Sequence, residues 1–159
     1  MNKEDIDKLI FGIGVNSYNR FQTFLDNKSK FKEKYYWYAL KTAYSNSDNL
    51  FRYKNEIKEA FNSNEVDRTS LMEKQELKYF NRLSNKITIY RGMTLLELES
   101  EEFGVSWSLK EDIASFFAYT YQRNMSTNHH KKVVCKKIVD KEKIIAFFND
   151  REEFEVIYL

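Results

Sequence analysis

Residues 86–92 read Lys86-Ile-Thr-Ile-Tyr-Arg-Gly92, and they mark where the chain changes its period. Ile87 and Ile89 alternate with Thr88 and Tyr90, the two-residue repeat of a half-buried β-strand. Before Asn85 apolar residues return every three or four positions instead. YYWYALKTAY (35–44), LFRYKNEIKEAF (50–61) and SLMEKQELKYFNRL (70–83) each carry that helical spacing. Asp48 and Asp67 stand where the second and third of these helices need N-caps. After Asn85, EFGVSWS (102–108), KKVVCKKIV (131–139), KIIAFF (143–148) and FEVIYL (154–159) are short and rich in β-branched and aromatic residues, which predicts strands. Their short connections favour hairpins. The expectation is an α+β fold in one domain, 1–159, with a helical part (1–84) packed on a small, mostly antiparallel β-rich core (85–159).

One helix is expected between the strands. Ser108-Leu-Lys-Glu111 has the spacing of a capping box, in which Ser108 and Glu111 each bond the other's backbone amide. Ile113, Phe116, Phe117 and Tyr121 then form its apolar face, and Ala114 and Ala118 allow close approach to a sheet.

Composition narrows the function. The 13 Phe and 11 Tyr residues supply a sizeable core. No apolar run is long enough to cross a bilayer, and the start, MNKEDIDKLIFGIGVNS, lacks the features of a signal peptide, so a cytoplasmic protein is expected, with no membrane partner. A formal net charge of +2 does not call for nucleic acid. The single cysteine, Cys135, rules out an internal disulfide and a multi-cysteine metal site, and its apolar surroundings in sequence predict a reduced, buried thiol.

Three strand ends carry polar residues of a particular kind. Arg91-Gly92 closes the first, Ser106-Trp107-Ser108 closes the second, and Glu153-Phe154-Glu155 opens the last. On an extended strand Glu153 and Glu155 share one face about 6.6 Å apart, while Phe154, Val156 and Tyr158 turn to the core. Taken alone, such a pair reads as an edge strand blunted by charge. Together the three strand ends could supply a cleft with a guanidinium for a diphosphate, hydroxyls to fix neighbours, and carboxylates for sugar hydroxyls or developing positive charge.

The order Arg91, Ser106-x-Ser108, Glu153-x-Glu155 resembles the arginine–serine–glutamate class of mono-ADP-ribosyltransferases, the clostridial and cholera-toxin-like kind, over about residues 86–159. The resemblance implies a mixed, mostly antiparallel β-sandwich preceded by helices, and an enzyme that uses NAD as substrate without a metal. It also implies roles. Glu155 is the catalytic glutamate that stabilises the ribosyl cation, Ser106 braces it, Arg91 and Gly92 hold the NAD diphosphate with Ser108 nearby, and Glu153 orients an acceptor arginine and takes its proton. Residues 147–152 form the loop that touches a target protein. An antidote or host protein is a further candidate partner, as for a toxin or effector. Two departures stand out: Trp107 replaces the usual threonine, and strand alternation favours packing for it; and only four residues follow Glu155, which omits a strand that often comes next. The alternatives are an NAD glycohydrolase, with water as acceptor, and a non-catalytic partner-binding module on the same fold. A conventional glycosidase draws its two carboxylates from separate strands and fits less well.

Other features read as structural. His129-His130 lies in a polar stretch without ligand partners at metal spacing. Gly12-Ile-Gly14 lacks the frame of a nucleotide fingerprint. The lysines of 28–34 read as a charged helix start, and Tyr35-Tyr-Trp-Tyr38 as a core-facing helical turn. No histidine is placed to activate Ser106 or Ser108 as a nucleophile.

Overall fold

A computed structural model describes residues 1–121 and 130–159. The described chain forms two compact units, Met1–Glu73 and Lys74–Leu159.

The first unit is helical. Helices α1 (Lys3–Ile10), α2 (Arg20–Asn27), α3 (Lys34–Ser45) and α4 (Lys54–Phe61) are linked by 3-10 turns at Lys28–Lys30, Leu50–Tyr53 and, after α4, Arg68–Leu71. Asn2 and Asp5 make a reciprocal capping box on α1, with each side chain on the other's amide at 3.0–3.1 Å. Asp48 and Asp67 do not cap α-helices. Asn49, left-handed, precedes the turn at Leu50, and Asp67, also left-handed, precedes the turn at Arg68 without a side-chain cap bond. In α3 Tyr36 and Trp37 face the core while Tyr35 and Tyr38 are half-buried. The polar tips find carbonyl partners: Trp37 Nε1 donates to Val66 O at 2.7 Å and the Tyr36 hydroxyl to Ala60 O at 3.0 Å.

Among the described residues the second unit contains all five strands: β1 (Lys86–Thr94), β2 (Ser106–Ser108), β3 (Lys132–Asp140), β4 (Ile144–Phe148) and β5 (Glu155–Tyr158). Every pairing is antiparallel, and among the described residues the strands join in one open sheet, ordered β3-β1-β2-β5-β4, rather than the two layers of a sandwich. Strand β5 therefore lies inside the sheet, which overturns the reading of its glutamates as a charged edge. Strands β1 and β3 pair along nine residues, from Lys86 opposite Asp140 to Thr94 opposite Lys132. Cys135 is half-buried there, less enclosed than its apolar neighbours predict.

Helix α5 (Lys74–Arg82) belongs to this unit: Tyr79 stacks on Phe147 of β4 with ring centroids 4.7 Å apart. A short α6 (Leu95–Ser100), which the strand-rich pattern hid, follows β1. The expected helix after β2 is α7 (Glu111–Ser115), continued as one π-type turn through Thr120 that closes with Tyr121 N on Phe116 O at 2.9 Å. It packs on the sheet through Ala114 and Ala118, while Phe116, Phe117 and Tyr121 stay exposed and touch one another. The small residues, not the rings, make the buried face. His129 lies outside the described residues, and His130 is exposed.

Candidate functional site

The register of the sheet decides which side chains meet. Tyr90 on β1 is opposite Ser108 on β2, and Ser108 is opposite Glu155 on β5. Cross-strand partners share a face, so Tyr90, Ser108 and Glu155 form one row. Ser106 lies two residues along β2 and takes the same face, as does Gly92 on β1. Glu155 is only 6% exposed, and Ser108 is equally enclosed. A carboxylate so deep in a sheet is costly to bury without partners, and Glu76 of α5 is enclosed to the same degree.

Gly92 admits a close neighbour, and that neighbour is α7. A Cβ there would collide with the carbonyl of Ala114 and approach Ala118 N to 2.7 Å. The glycine thus seats the helix over the row.

Arg91 is one residue beyond Tyr90 on a regular strand, so it takes the other face of the sheet. There its Nε donates to Glu97 Oε1 at 2.8 Å and its Nη1 to the carbonyl of Ser106 at 2.8 Å. Glu97 Oε1 also accepts from Gly104 N at 2.9 Å, which ties the loop after α6 to the arginine. A side chain at Gly104 would overlap Nη2. Sequence reasoning missed Glu97, although Thr94-Leu-Leu-Glu97 has the capping spacing: Thr94 caps α6 by accepting from Glu97 N, and the Glu97 carboxylate turns to Arg91. Trp107 is packed on the same face as Arg91, against Phe103 and Tyr158, with Nε1 donating to Gly104 O at 3.2 Å.

The Glu153–Glu155 pair does not share an extended strand. Phe154 is left-handed, φ 48°, and β5 starts only at Glu155. The kink breaks the alternation that placed both carboxylates on one face. Glu153 lies outside the strand with Oε2 3.2 Å from Arg151 Nη2. The capping box expected at Ser108 is absent too. The Ser108 hydroxyl donates to Glu153 O at 2.8 Å and accepts from Lys110 N at 3.0 Å, while Lys110 occupies the N-cap of α7 without a side-chain bond. Being held in β2 opposite Glu155 commits Ser108 to the sheet rather than to the helix.

The structure thus unites Ser106, Ser108 and Glu155, puts Arg91 on the neighbouring strand but the opposite face, and sets Glu153 in the loop that leads into β5. Among the described residues no group of three or more His, Cys, Asp or Glu side chains is placed to hold a metal ion, and no helix is long and apolar enough to cross a membrane. Comparison with protein-family models, curated proteins and solved structures finds no match to this chain.

Proposed function

We propose that this chain is an NAD-dependent mono-ADP-ribosyltransferase that transfers ADP-ribose to a protein side chain, arginine in the first instance. One observation carries the reading. The strands bearing Arg91, the Ser-x-Ser pair and Glu155 are far apart in sequence, yet they are the neighbours β1, β2 and β5 in the sheet. In this reading the carbon–nitrogen bond between ribose and nicotinamide breaks, nicotinamide leaves with the electron pair, and Glu155 stabilises the cationic sugar. Ser106 and Ser108 fix the surroundings of that carboxylate. The diphosphate role that the resemblance gives Arg91 requires NAD to reach from the Glu155 row round to the opposite face of the sheet, where Glu97 and Ser106 O hold the guanidinium. An acceptor guanidinium nitrogen attacks the anomeric carbon, and Glu153 takes its proton.

A specific observation favours a second reading, an NAD glycohydrolase. Glu153 is out of line with Glu155 and paired with Arg151, so water is the acceptor if Glu153 does not turn toward the site. One experiment separates the two: transfer of labelled ADP-ribose from NAD into a bacterial lysate, with nicotinamide release measured in parallel. Labelled protein, lost in Glu155→Gln, supports the transferase. Nicotinamide release without labelling supports the glycohydrolase. Folded protein silent in both assays removes the catalytic reading and leaves a partner-binding module.

A further inference from the structure

The β4–β5 connection, residues 149–154, is held in a conformation its sequence does not favour. Glu152 and Phe154 both have left-handed backbones, φ 57° and 48°, without being glycine. Such a conformation in a bulky residue persists only where surrounding bonds over-determine it. Those bonds are present. Phe154 N donates to Asn149 Oδ1 at 3.1 Å, Phe154 O accepts from Leu109 N at 3.0 Å, and Glu153 O accepts from the Ser108 hydroxyl. The Phe154 ring sits near Phe147 and Tyr79, with Lys110 Nζ 4.7 Å from its centroid. The network is rooted in Glu76 of α5, a side chain enclosed to 6% exposure whose Oε1 accepts from Asn149 N at 2.8 Å.

We infer that Glu76 is a positioning residue for the acceptor carboxylate: through Asn149 it fixes the Phe154 kink, and the kink sets Glu153 relative to Glu155. This rests on the ADP-ribosyltransferase reading for its catalytic meaning, though not for its structural content. The reasoning is geometric. Glu155 is locked by its strand pairing with Ser108 and Phe148, so loosening the loop leaves it in place. Glu153 has no such ladder, and its backbone is placed by the loop bonds. The Asn149 amide needs an acceptor oxygen at position 76, which glutamine supplies as well. Glu76→Gln therefore keeps the function, and Glu76→Ala loses it.

The test uses the full chain, with nicotinamide release and labelling of agmatine, a soluble arginine-like acceptor, measured together. Glu76→Ala is expected to lower labelling by about tenfold to a hundredfold, the size of a small misplacement near the chemistry. Nicotinamide release should stay within about twofold, since the interaction lost serves transfer alone. Glu76→Gln restores labelling. Equal losses in both assays, or none in either, overturn the proposal. If the native chain neither labels nor releases nicotinamide, the catalytic reading has failed, and amide hydrogen exchange decides the rest. Faster exchange at Phe154 in Glu76→Ala and in Asn149→Ala, with β1–β3 protection unchanged, upholds Glu76 as the root of the loop. Unchanged exchange at Phe154 overturns it.

Discussion

At Gly92 the space that a side chain would need is taken by main chain. The nearest atoms to an added Cβ are the Ala114 carbonyl oxygen, Ala118 N at 2.7 Å and Ala118 Cβ at 2.9 Å. Backbone cannot step aside as a lysine tip can, so Gly92→Ala must lift α7 or bend β1. The expected loss is about 1–3 kcal/mol, the usual cost of overpacking, read as a lower urea midpoint. Gly104 offers a control. An added Cβ there meets the end of a flexible side chain, the Arg91 guanidinium, which can swing away from Glu97 and Ser106 O. Gly104→Ala should cost clearly less stability than Gly92→Ala. An equal or greater cost would mean that the Arg91–Glu97 pair is structural rather than available to a ligand. Both glycines are visible in the sequence, but what each admits is not. The strand pattern placed Arg91 and Gly92 together at a strand end, whereas β1 runs on to Thr94, so the two lie within the strand and take opposite faces.

At the scale of elements, strands β1, β3, β4 and β5 were legible, and β2 in its last three residues, because two-residue alternation and β-branched residues are local properties. Their order in the sheet was not, because pairing joins residues distant in sequence. Glu155 could thus be assigned to a strand but not to its interior. The kink at Phe154 was hidden for a different reason: left-handed backbone is normally announced by glycine or asparagine, and here phenylalanine adopts it. The β1–β3 pairing supplies its own prediction. At its end Lys86 Nζ lies 2.5 Å from Asp140 Oδ1, and the hydrogen bond from Lys86 is the chief reason the Asp140 carboxyl titrates below its ordinary value of 3.8. A folded value below the unfolded one means the unfolded chain binds the proton more readily. The stabilisation is therefore present above about pH 4 and fades as pH falls through the lower folded value. Because the pair is solvent-exposed, the effect is small and screened by salt. Urea midpoints between pH 5 and 3 should fall less steeply for Asp140→Asn than for the native chain at low ionic strength. Identical slopes would show that the pair does not outlast solvation.

Over the whole molecule, the boundary between units lies at Glu73–Lys74, whereas the change of period in the sequence lies at Asn85. Periodicity reports what kind of element a segment forms, not which core it joins. α5 is helical like the residues before it, yet Tyr79 stacks on Phe147, Glu76 holds Asn149, and Lys141 Nζ donates to the carbonyls of Asn81 and Leu83. The two tryptophans fall one in each unit, Trp37 fully buried in the first and Trp107 2% exposed in the second. Fluorescence can therefore follow each core separately. In a Trp107→Phe background the emission comes from Trp37, which lies in the same buried helix face as Leu40. Leu40→Ala leaves a cavity in that core and should lower the stability reported there by about 2–5 kcal/mol. In a Trp37→Phe background the emission comes from Trp107, and Gly92→Ala should lower the midpoint it reports. A Trp37 transition unmoved by Leu40→Ala would mean that the helical unit is not closed by the core described, since a fully buried leucine cannot be truncated in a packed interior without cost.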